Sequence, residues 1–366
     1  MTSLFSQIYS PGKTTFGTSD DFLFLKQPDG CFAVGKGPFS LHTGPSLDTP
    51  SFYLNDFSHR FSRPWIRPRR FYQTNSIIDL VNQPRHAPTS PLITWQPPSR
   101  EIFQRAFETV CHYLRDGAVN KLVPAVVEEG RVMAGKAEHL LRELESTTWP
   151  SYPYGIRIGD AGMIGASPEP IVSIEGDRLS TIALAGTAAS EVAHETLLQD
   201  KERREHLYVA DFIASRLQAY GKTSRSSVNQ LDLGSVKHLM TGFETLLKSK
   251  PDITQLIDTL HPTPAVGPSP RNAQTMRLAL ALRNMAGVPP TFAVPFGVAC
   301  GNDFHALLTI RNIHWQGSRL LLAAGGGIVR GSKANEEWEE LRLKRESVKT
   351  FFGLGFRSMG LRALSA

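Results

Sequence analysis

Three consecutive glycines, placed between a predicted β-hairpin and an acidic helix, constrain this chain more than any other feature. The hairpin covers residues 306–323, the glycines are residues 325–327, and Asn335 is a favourable N-cap for the acidic segment that follows. Glycine lets the backbone adopt positive φ and approach a ligand closely. The sequence therefore predicts a glycine turn that leads into a helix beside a binding site.

The chemistry of that site depends on the acidic helix. A dinucleotide site is excluded, because Arg330 replaces the third glycine of the G-x-G-x-x-G pattern and a hairpin is incompatible with a βαβ unit. Glu337 and Glu340 are three positions apart and share a helix face, with Lys344 one turn further along. Two carboxylates behind a glycine turn suit a hard cation such as Mg²⁺. The alternative is a solvated acidic first turn, stabilised by the helix dipole.

Composition limits the possible partners. The chain has 366 residues and 41% hydrophobic content, enough for a large core in one domain or two, and its 40 Lys+Arg against 34 Asp+Glu are compatible with an anionic substrate. Its three cysteines are widely separated, so they indicate neither a disulfide framework nor a zinc site. We recognise no export signal and no membrane-spanning segment, and expect a cytoplasmic protein that does not bind a membrane.

The first part of the chain, to about residue 98, is rich in proline, serine and aromatic residues. A hairpin is predicted over residues 21–34, around a Pro-Asp-Gly turn. In residues 59–72 arginines alternate with aromatic residues, a pattern suited to stacking bases and neutralising phosphates. The prolines of this stretch favour an extended surface segment whose arginines pair with acids, so nucleic-acid binding is kept only as an alternative.

Two residues in the middle of the chain are candidates for acid–base chemistry. A helix is predicted over 100–117 and a strand over 121–127, with Lys121 at the start of the strand. A lysine desolvated there can act as a base, although a lysine that only marks a strand end is commoner. Glu169 lies between two prolines, ahead of a hairpin over 170–182. A carboxyl held there, away from water, has a raised pKa and can act as an acid.

The remaining candidates lie between this hairpin and the glycine turn. A long helix is predicted from about residue 195 to 220, and on it Glu202 and Glu205 repeat the carboxylate spacing of the C-terminal helix. Two such helices could build a metal site between them, whereas a salt-bridged surface is the default interpretation. His238 is isolated, and such histidines are more often structural than functional. Arg311 is predicted in an apolar strand, where it needs an anionic partner such as a substrate carboxylate.

The other predicted elements of this region are simple. They are a strand, a helix that ends in a stiff proline-rich loop, a second helix and a short strand, over residues 235–241, 252–260, 272–285 and 292–294.

Taken together and in this order, these segments resemble those of the chorismate-utilising enzymes: isochorismate synthase, salicylate synthase, and the large subunits of anthranilate and aminodeoxychorismate synthases. The resemblance covers roughly residues 100–352 and depends on six ordered segments matching at once. These segments are Lys121-Leu122-Val123, Gly165 to Glu169, Ala185-Gly186-Thr187, Lys201 to His206, Pro262 to Gly267, and the glycine turn with its acidic helix.

The resemblance implies an α+β fold of the anthranilate-synthase large-subunit type. In that fold two antiparallel β-sheets pack together, helices flank them, and the site lies in the cleft between the sheets. The whole chain, 1–366, would form one domain, with a variable N-terminal part (1–98) and a catalytic part that carries the motifs (99–355).

The resemblance also implies the roles of individual residues. Lys121 would be the base that activates water, and Glu169 the acid that protonates the departing hydroxyl. A Mg²⁺ ion would be held by Glu205, Glu337 and Glu340 and would bind the ring carboxylate of chorismate. The implied substrate contacts are Ala185, Gly186, Thr187, His238, Ala265, Val266, Arg311, Gly325, Gly327 and Lys344.

The implied function is that of a Mg²⁺-dependent isochorismate synthase, monomeric and without a nucleic-acid partner, whose product would serve menaquinone, siderophore or salicylate biosynthesis. Lysine at position 121 implies water as nucleophile, and Ala265 implies isochorismate as product, because salicylate-forming relatives tend to carry threonine there. A salicylate synthase, which also eliminates pyruvate, and a non-catalytic nucleic-acid or interaction protein are the alternatives. The departures from the family pattern are Val126, Ala188, Pro268 and Phe292.

Overall fold

The structure is a computed structural model that describes residues 4–10, 12–81, 91–145, 151–189, 200–233 and 236–354. Its helices are α1 (Leu4–Ile8), α2 (Arg100–Arg115), α3 (Leu141–Glu145), α4 (Asp200–Leu217), α5 (Ile253–Leu260), α6 (Ala273–Met285) and α7 (Ala334–Phe351). None of the helices within these ranges is long and apolar enough to cross a membrane.

The strands are numbered in chain order. They are β1 (Thr15–Phe16), β2 (Phe22–Lys26), β3 (Phe32–His42), β4 (Ser51–Leu54), β5 (Trp65–Thr74), β6 (Leu92–Gln96), β7 (Lys121–Leu122), β8 (Ala125–Ala134), β9 (Tyr152–Ile158), β10 (Ala161–Ser167), β11 (Pro170–Glu175), β12 (Arg178–Ala189), β13 (Gly221–Arg225), β14 (Asn229–Asp232), β15 (Val236–Leu247), β16 (Pro295–Cys300), β17 (Asp303–Leu308), β18 (Asn312–Gln316), β19 (Arg319–Gly325) and β20 (Ile328–Val329).

Antiparallel pairing dominates the architecture. Hydrogen bonds connect 18 of the strands into one continuous sheet, while β7 and β20 form a separate two-stranded sheet. Strands of the N-terminal part pair with later ones, β2 with β9 and β4 with β16. The predicted α+β fold, with antiparallel sheets flanked by helices, is therefore confirmed.

The helices cover the sheet through apolar faces. Helices α4 and α5 pack on β11, β12, β15 and β17, with Val209, Ile213 and Leu256 in the shared core. Helices α2, α6 and α7 enclose a second core around β7, β8 and β20, which contains Phe103 and Leu341. This second group holds the glycine turn against the acidic helix.

Most local predictions with a clear physical signal are confirmed. The hairpin of β2 and β3 turns at Gly30, where φ is 89°. Helix α2 begins after Ser99, whose hydroxyl accepts from the Ile102 amide at 3.2 Å. Asp252 caps α5 and Asn272 caps α6 in the same way. The hairpin of β11 and β12 turns between Glu175 and Arg178, as predicted.

Three predicted strands differ from the structure in their extent. The strand over 121–127 is broken, because β7 ends at Leu122 and β8 starts at Ala125, in different sheets, with Pro124 between them unable to donate to a ladder. Residues 292–294 form a turn in which Ala293 has a φ of 57°, and the strand begins only at Pro295. The predicted strand over 235–241 continues to Leu247.

Two predictions near the site also need correction. Arg311 does not lie within a strand but between β17 and β18, with a φ of 55°. Asn335 is not the N-cap of α7, since the helix begins at Ala334 after Lys333, and the Asn335 side chain accepts from Arg100 instead. The start of the helix predicted from residue 195 lies outside the described residues, and the described part ends at Leu217.

Candidate active site

One cavity brings together most of the predicted site residues. It lies where β12, the loops before β11 and β18, the glycine turn and helices α4 and α7 meet. The predicted residues that line it are Glu169, Ala185, Thr187, Glu205, His238, Ala265, Val266, Arg311, Gly325, Gly327 and Lys344. The predicted residues Lys121, Gly186, Glu337 and Glu340 are not part of this lining. Lys121 and Glu340 contact it through ion pairs with Glu205 and Lys344.

Each of the three predicted metal ligands forms an ion pair with a different lysine. The shortest N–O distances are 2.9 Å for Lys121–Glu205, 2.7 Å for Lys201–Glu337 and 2.6 Å for Lys344–Glu340. Helix geometry explains one of these pairs, because Glu340 and Lys344 are four positions apart on α7. The result is a compact array of alternating charges at one end of the cavity.

Gly327 is required where this array meets the glycine turn. A Cβ atom at this position would lie 2.2 Å from Glu205 Oε1 and 2.5 Å from Lys121 Cε. A side chain at this position would displace the ends of Glu205 and Lys121 and disturb their ion pair. At the neighbouring turn Gly186 has a φ of 76°, and a Cβ there would lie 2.7 Å from the Glu202 carbonyl oxygen. Gly186 therefore permits the close approach of α4 to β12, while Gly327 leaves room for the Lys121–Glu205 pair.

The charges of the array act strongly on one another. Burial, and then the Glu340 carboxylate, raise the pKa of Glu337. Burial would also raise the pKa of Glu340, but its ion pair with Lys344 brings it below the usual value. Burial opposes the positive charge of Lys201, yet Glu337, Glu340 and Glu205 together raise its pKa. Several carboxylates thus compete for a limited positive charge.

This donor set fits Mg²⁺ in its chemistry, because the ion prefers hard oxygen ligands and the array contains three carboxylates. The lysine pairs limit the fit. Across the ranges that the structure describes, no three Asp, Glu, His or Cys side chains stand ready to hold an ion as they are. Binding Mg²⁺ therefore requires that Lys121, Lys201 and Lys344 release the three carboxylates.

Glu169 is a buried acid at the centre of the cavity wall. It is 6% exposed, and its backbone is held by a 3.0 Å hydrogen bond from the Leu308 amide to its carbonyl oxygen. Burial raises the pKa of Glu169 to about 8, against the lowering effects of Lys121, Lys344 and Arg311. The expected rise in pKa is present, and the carboxyl is protonated at neutral pH.

Arg311 and His238 form a second polar group on the wall. Arg311 Nη1 donates to Ser347 Oγ at 2.9 Å, and Nη2 donates to His238 Nε2 at 3.4 Å. Because a guanidinium only donates, His238 Nε2 must accept, so Nδ1 carries the proton and donates to Thr187 Oγ1 at 3.1 Å. Burial lowers the pKa of His238 well below its usual value and that of Arg311 to about 10. No carboxylate of the described residues forms an ion pair with Arg311.

The family model for chorismate binding enzyme matches residues 65–353. The chain belongs to the chorismate-binding enzyme family. Isochorismate synthase EntC of Escherichia coli (strain K12) is 29% identical over 231 residues, which are 59% of this chain and 57% of EntC. The salicylate biosynthesis isochorismate synthase of Pseudomonas aeruginosa is 27% identical over 305 residues, 77% of this chain and 63% of the relative.

The chain thus spans less than two thirds of the length of these curated relatives. Among solved structures, the Bacillus anthracis protein DhbC superposes with a TM-score of 0.78 at 21% identity, over 92% of this chain and 98% of DhbC. At that identity the likeness shows a shared fold.

The sequence does not predict two residues of the candidate active site, Lys201 and Arg283. Lys201 was interpreted as part of a salt-bridged surface, yet it pairs with Glu337, which is 1% exposed. Arg283 lines the cavity from helix α6. A signal existed for Arg283, because it follows Thr275 and Ala279 on the buried stripe of that helix, where a charge is unexpected.

The departures from the chorismate-binding family pattern lie in different surroundings. Phe292 is 4% exposed and lines the cavity with an apolar ring. Val126 is buried in the core beneath α2. Of Ala188 only the backbone, at the end of β12, is described. Phe292 is thus the departure with a direct effect on the cavity wall.

The arginine-rich stretch is built into the fold. Trp65 is fully buried and donates to Thr254 Oγ1 at 2.9 Å. Phe61 stacks on Tyr9 with ring centroids 4.3 Å apart. Arg60 forms an ion pair with Asp56. Aromatic rings engaged in this way are not free to stack on bases, which favours the structural interpretation of the stretch.

Proposed function

We propose that this protein is an isochorismate synthase, which adds water to C2 of chorismate and releases the hydroxyl of C4 as water. The observation that carries the proposal is the burial of Glu169, with a raised pKa, in the same cavity wall that holds Arg311 and adjoins the Lys121–Glu205 pair. Both curated relatives described above are named isochorismate synthases, which supports the same reaction.

The proposed mechanism uses the two sides of the cavity. The Lys121 amine accepts a proton from water while the water oxygen bonds to C2 of the ring. The ring double bonds shift, the C4–O bond breaks, and Glu169 gives its proton to the departing hydroxyl. One proton enters the protein at Lys121 and one leaves at Glu169, so the reaction is a net isomerisation. A base must be neutral, so the Lys121–Glu205 ion pair has to open in the reactive state.

We propose further that the reaction depends on Mg²⁺, held by Glu205, Glu337 and Glu340. When bound, the ion would neutralise the ring carboxylate of the substrate and stabilise charge that develops on it. The chain itself supplies the remaining orientation. Arg311 offers donors to a carboxylate, and His238, kept neutral by burial, holds Arg311 in place. The backbone of Gly325 to Gly327 permits close approach of the ring.

Product analysis tests the proposal. The protein is incubated with chorismate, with Mg²⁺ or with EDTA, and the products are separated by chromatography. We expect isochorismate with Mg²⁺, little turnover with EDTA, and no pyruvate. Pyruvate together with salicylate would identify a salicylate synthase instead, which Ala265 in the cavity wall argues against. Absence of turnover under both conditions would contradict an enzymatic function on chorismate.

A further inference from the structure

Arg283 is a buried cation that the mechanism above does not use. It is 7% exposed and lies in the last turn of α6, where the helix dipole favours positive charge. Its guanidinium lies 4.0 Å from the centroid of the Phe57 ring and 5.9 Å from that of Phe292. Nη2 donates to the carbonyl oxygens of Phe292 at 2.7 Å and Pro289 at 3.4 Å. The side chain is thus fixed in one orientation.

These contacts hold the guanidinium without neutralising it. No acid of the described chain lies within ion-pair distance, and the nearest acid to influence it, Asp56, is already paired with Arg60. Nε and Nη1 make no hydrogen bond to any part of the chain that the structure describes. Burial lowers the pKa of Arg283 to about 9, with Asp56 opposing. A buried cation is unfavourable unless an anion completes it.

The surroundings show where that anion would come from. Arg283 lines the same cavity as Arg311 and Glu169. The two arginines are attached to different walls, since Arg283 donates to the Phe292 turn and Arg311 donates to Ser347 of α7. The Phe292 side chain contributes no polar atom to its wall, and its carbonyl oxygen accepts from Arg283. Arg283 is therefore the charged donor of a wall that is otherwise apolar.

We propose that Arg283 binds the carboxylate of the substrate that is not directed at the metal site, and thereby makes the enzyme selective for dicarboxylate ring substrates. This inference rests on the proposed function, in which chorismate presents a ring carboxylate and a second carboxylate on its enolpyruvyl side chain. Two donors of a planar guanidinium match a carboxylate in geometry, so the contact contributes to both affinity and orientation.

The test compares two aromatic ligands by calorimetry in the presence of Mg²⁺. One is benzoate with a meta carboxymethoxy group, and the other is its counterpart with a meta ethoxy group, which lacks the second carboxylate. We expect the unsubstituted protein to prefer the dicarboxylate, and Arg283→Met to lose about 10- to 100-fold of that preference, the usual range for a charged hydrogen-bonded contact. The KM for chorismate should rise by a similar factor, with a smaller change in kcat.

Further variants separate binding from folding. Arg283→Gln keeps a donor for the Phe292 carbonyl but removes the charge, so it should lose the preference as well, and it decides the matter if Arg283→Met does not fold. Arg283→Lys should restore part of the preference. Arg277→Met, at an exposed position of the same helix, should leave it unchanged. An unaltered preference in Arg283→Gln would overturn the inference, whereas absence of chorismate turnover in the unsubstituted protein would count against the proposed function.

Discussion

The two sides of the cavity treat charge in opposite ways. At the end formed by α4, α7 and β7, three carboxylates and three lysines pair one to one, with N–O distances between 2.6 and 2.9 Å. On the other walls, Arg283 is buried and Arg311 is half-buried, and neither has a carboxylate partner among the described residues. The paired end is suited to exchange its ammonium groups for a cation, while the unpaired arginines are suited to receive an anion.

Glu169 is the residue on which both sides act. Its pKa is raised by burial and lowered by Lys121 and Lys344 of the paired end and by Arg311 of the unpaired side. Because burial prevails, the carboxyl keeps its proton at neutral pH. The acid is therefore the most direct test of whether this distribution of charge serves catalysis.

Glu169→Gln should produce the largest effect. The amide resembles the protonated acid in size and in the absence of charge but has no proton to transfer, so we expect kcat to fall by about 10²- to 10⁴-fold. Chromatographic assay of isochorismate measures this loss. Stability provides the control, because Glu169 keeps its proton in the fold but ionises in the unfolded chain, so the fold loses stability as pH rises from about 4.5 to about 8. Above pH 8 the variant should be at least as stable as the unsubstituted protein, and a rate within tenfold of normal would remove Glu169 from the mechanism.

The next largest effect is expected in the pH dependence of kcat/KM of the unsubstituted enzyme. An acid catalyst must be protonated, so activity should decline above pH 8, about tenfold for each further pH unit, as Glu169 loses its proton. The measurement is kcat/KM for chorismate between pH 6 and 10 at constant ionic strength. Activity that stays level up to pH 10 would show that the proton comes from another group.

The replacement of lysine ammonium groups by Mg²⁺ at the paired end is tested by metal binding. Glu337→Gln removes a ligand charge, and we expect the affinity for Mg²⁺, measured by calorimetry in the absence of substrate, to fall at least about tenfold. Glu336→Gln is the matched control, because Glu336 is the preceding residue on α7 but is exposed and paired with Lys333. Equal affinities of the two variants would mean that the ion, if it binds, does so elsewhere.

The chemistry of the cavity could be predicted from sequence because it is carried by short motifs. Glu169 between two prolines, and the i, i+3 carboxylates of α4 and α7, are local patterns whose residue types limit what they can do. The residues lining the cavity were found largely through the resemblance to the chorismate-utilising enzymes. The partner of each charge was not found, because ion pairs such as Lys201–Glu337 join positions that are far apart in the chain.

The errors in local structure have physical reasons as well. Arg311 and Ala293 adopt positive φ, a conformation that side chains other than glycine adopt only when the surrounding contacts impose it. Propensity alone therefore assigned both to strands. Arg283 was visible as a charge on a buried helix stripe, but its lack of an acid partner depends on the three-dimensional packing. Sequence thus predicts which groups are present better than how their charges are balanced.

The smallest expected effect is on the free energy of unfolding in the absence of Mg²⁺, which shows whether a buried charge stabilises the fold. Lys201→Met leaves Glu337 buried without its cation, which we expect to lower the free energy of unfolding by about 1–2 kcal/mol, less than for a fully buried pair because Lys201 is partly exposed. Arg311→Met removes a cation that has no acid partner, so it leaves no carboxylate unpaired and should change stability by less than about 1 kcal/mol. Denaturant unfolding in EDTA measures both.

Lys333→Met provides the reference for a pair in solvent, since Lys333 and Glu336 are 2.7 Å apart but largely exposed, and it should cost at most about 0.5 kcal/mol. The decisive result is the order in which the three substitutions lower the free energy of unfolding. If Arg311→Met proved as destabilising as Lys201→Met, Arg311 would be serving the fold rather than waiting for a ligand, and the contrast between the two sides of the cavity would fail. If only Lys201→Met is costly, the charges of the paired end stabilise the protein itself, and those of the unpaired arginines are left for the substrate.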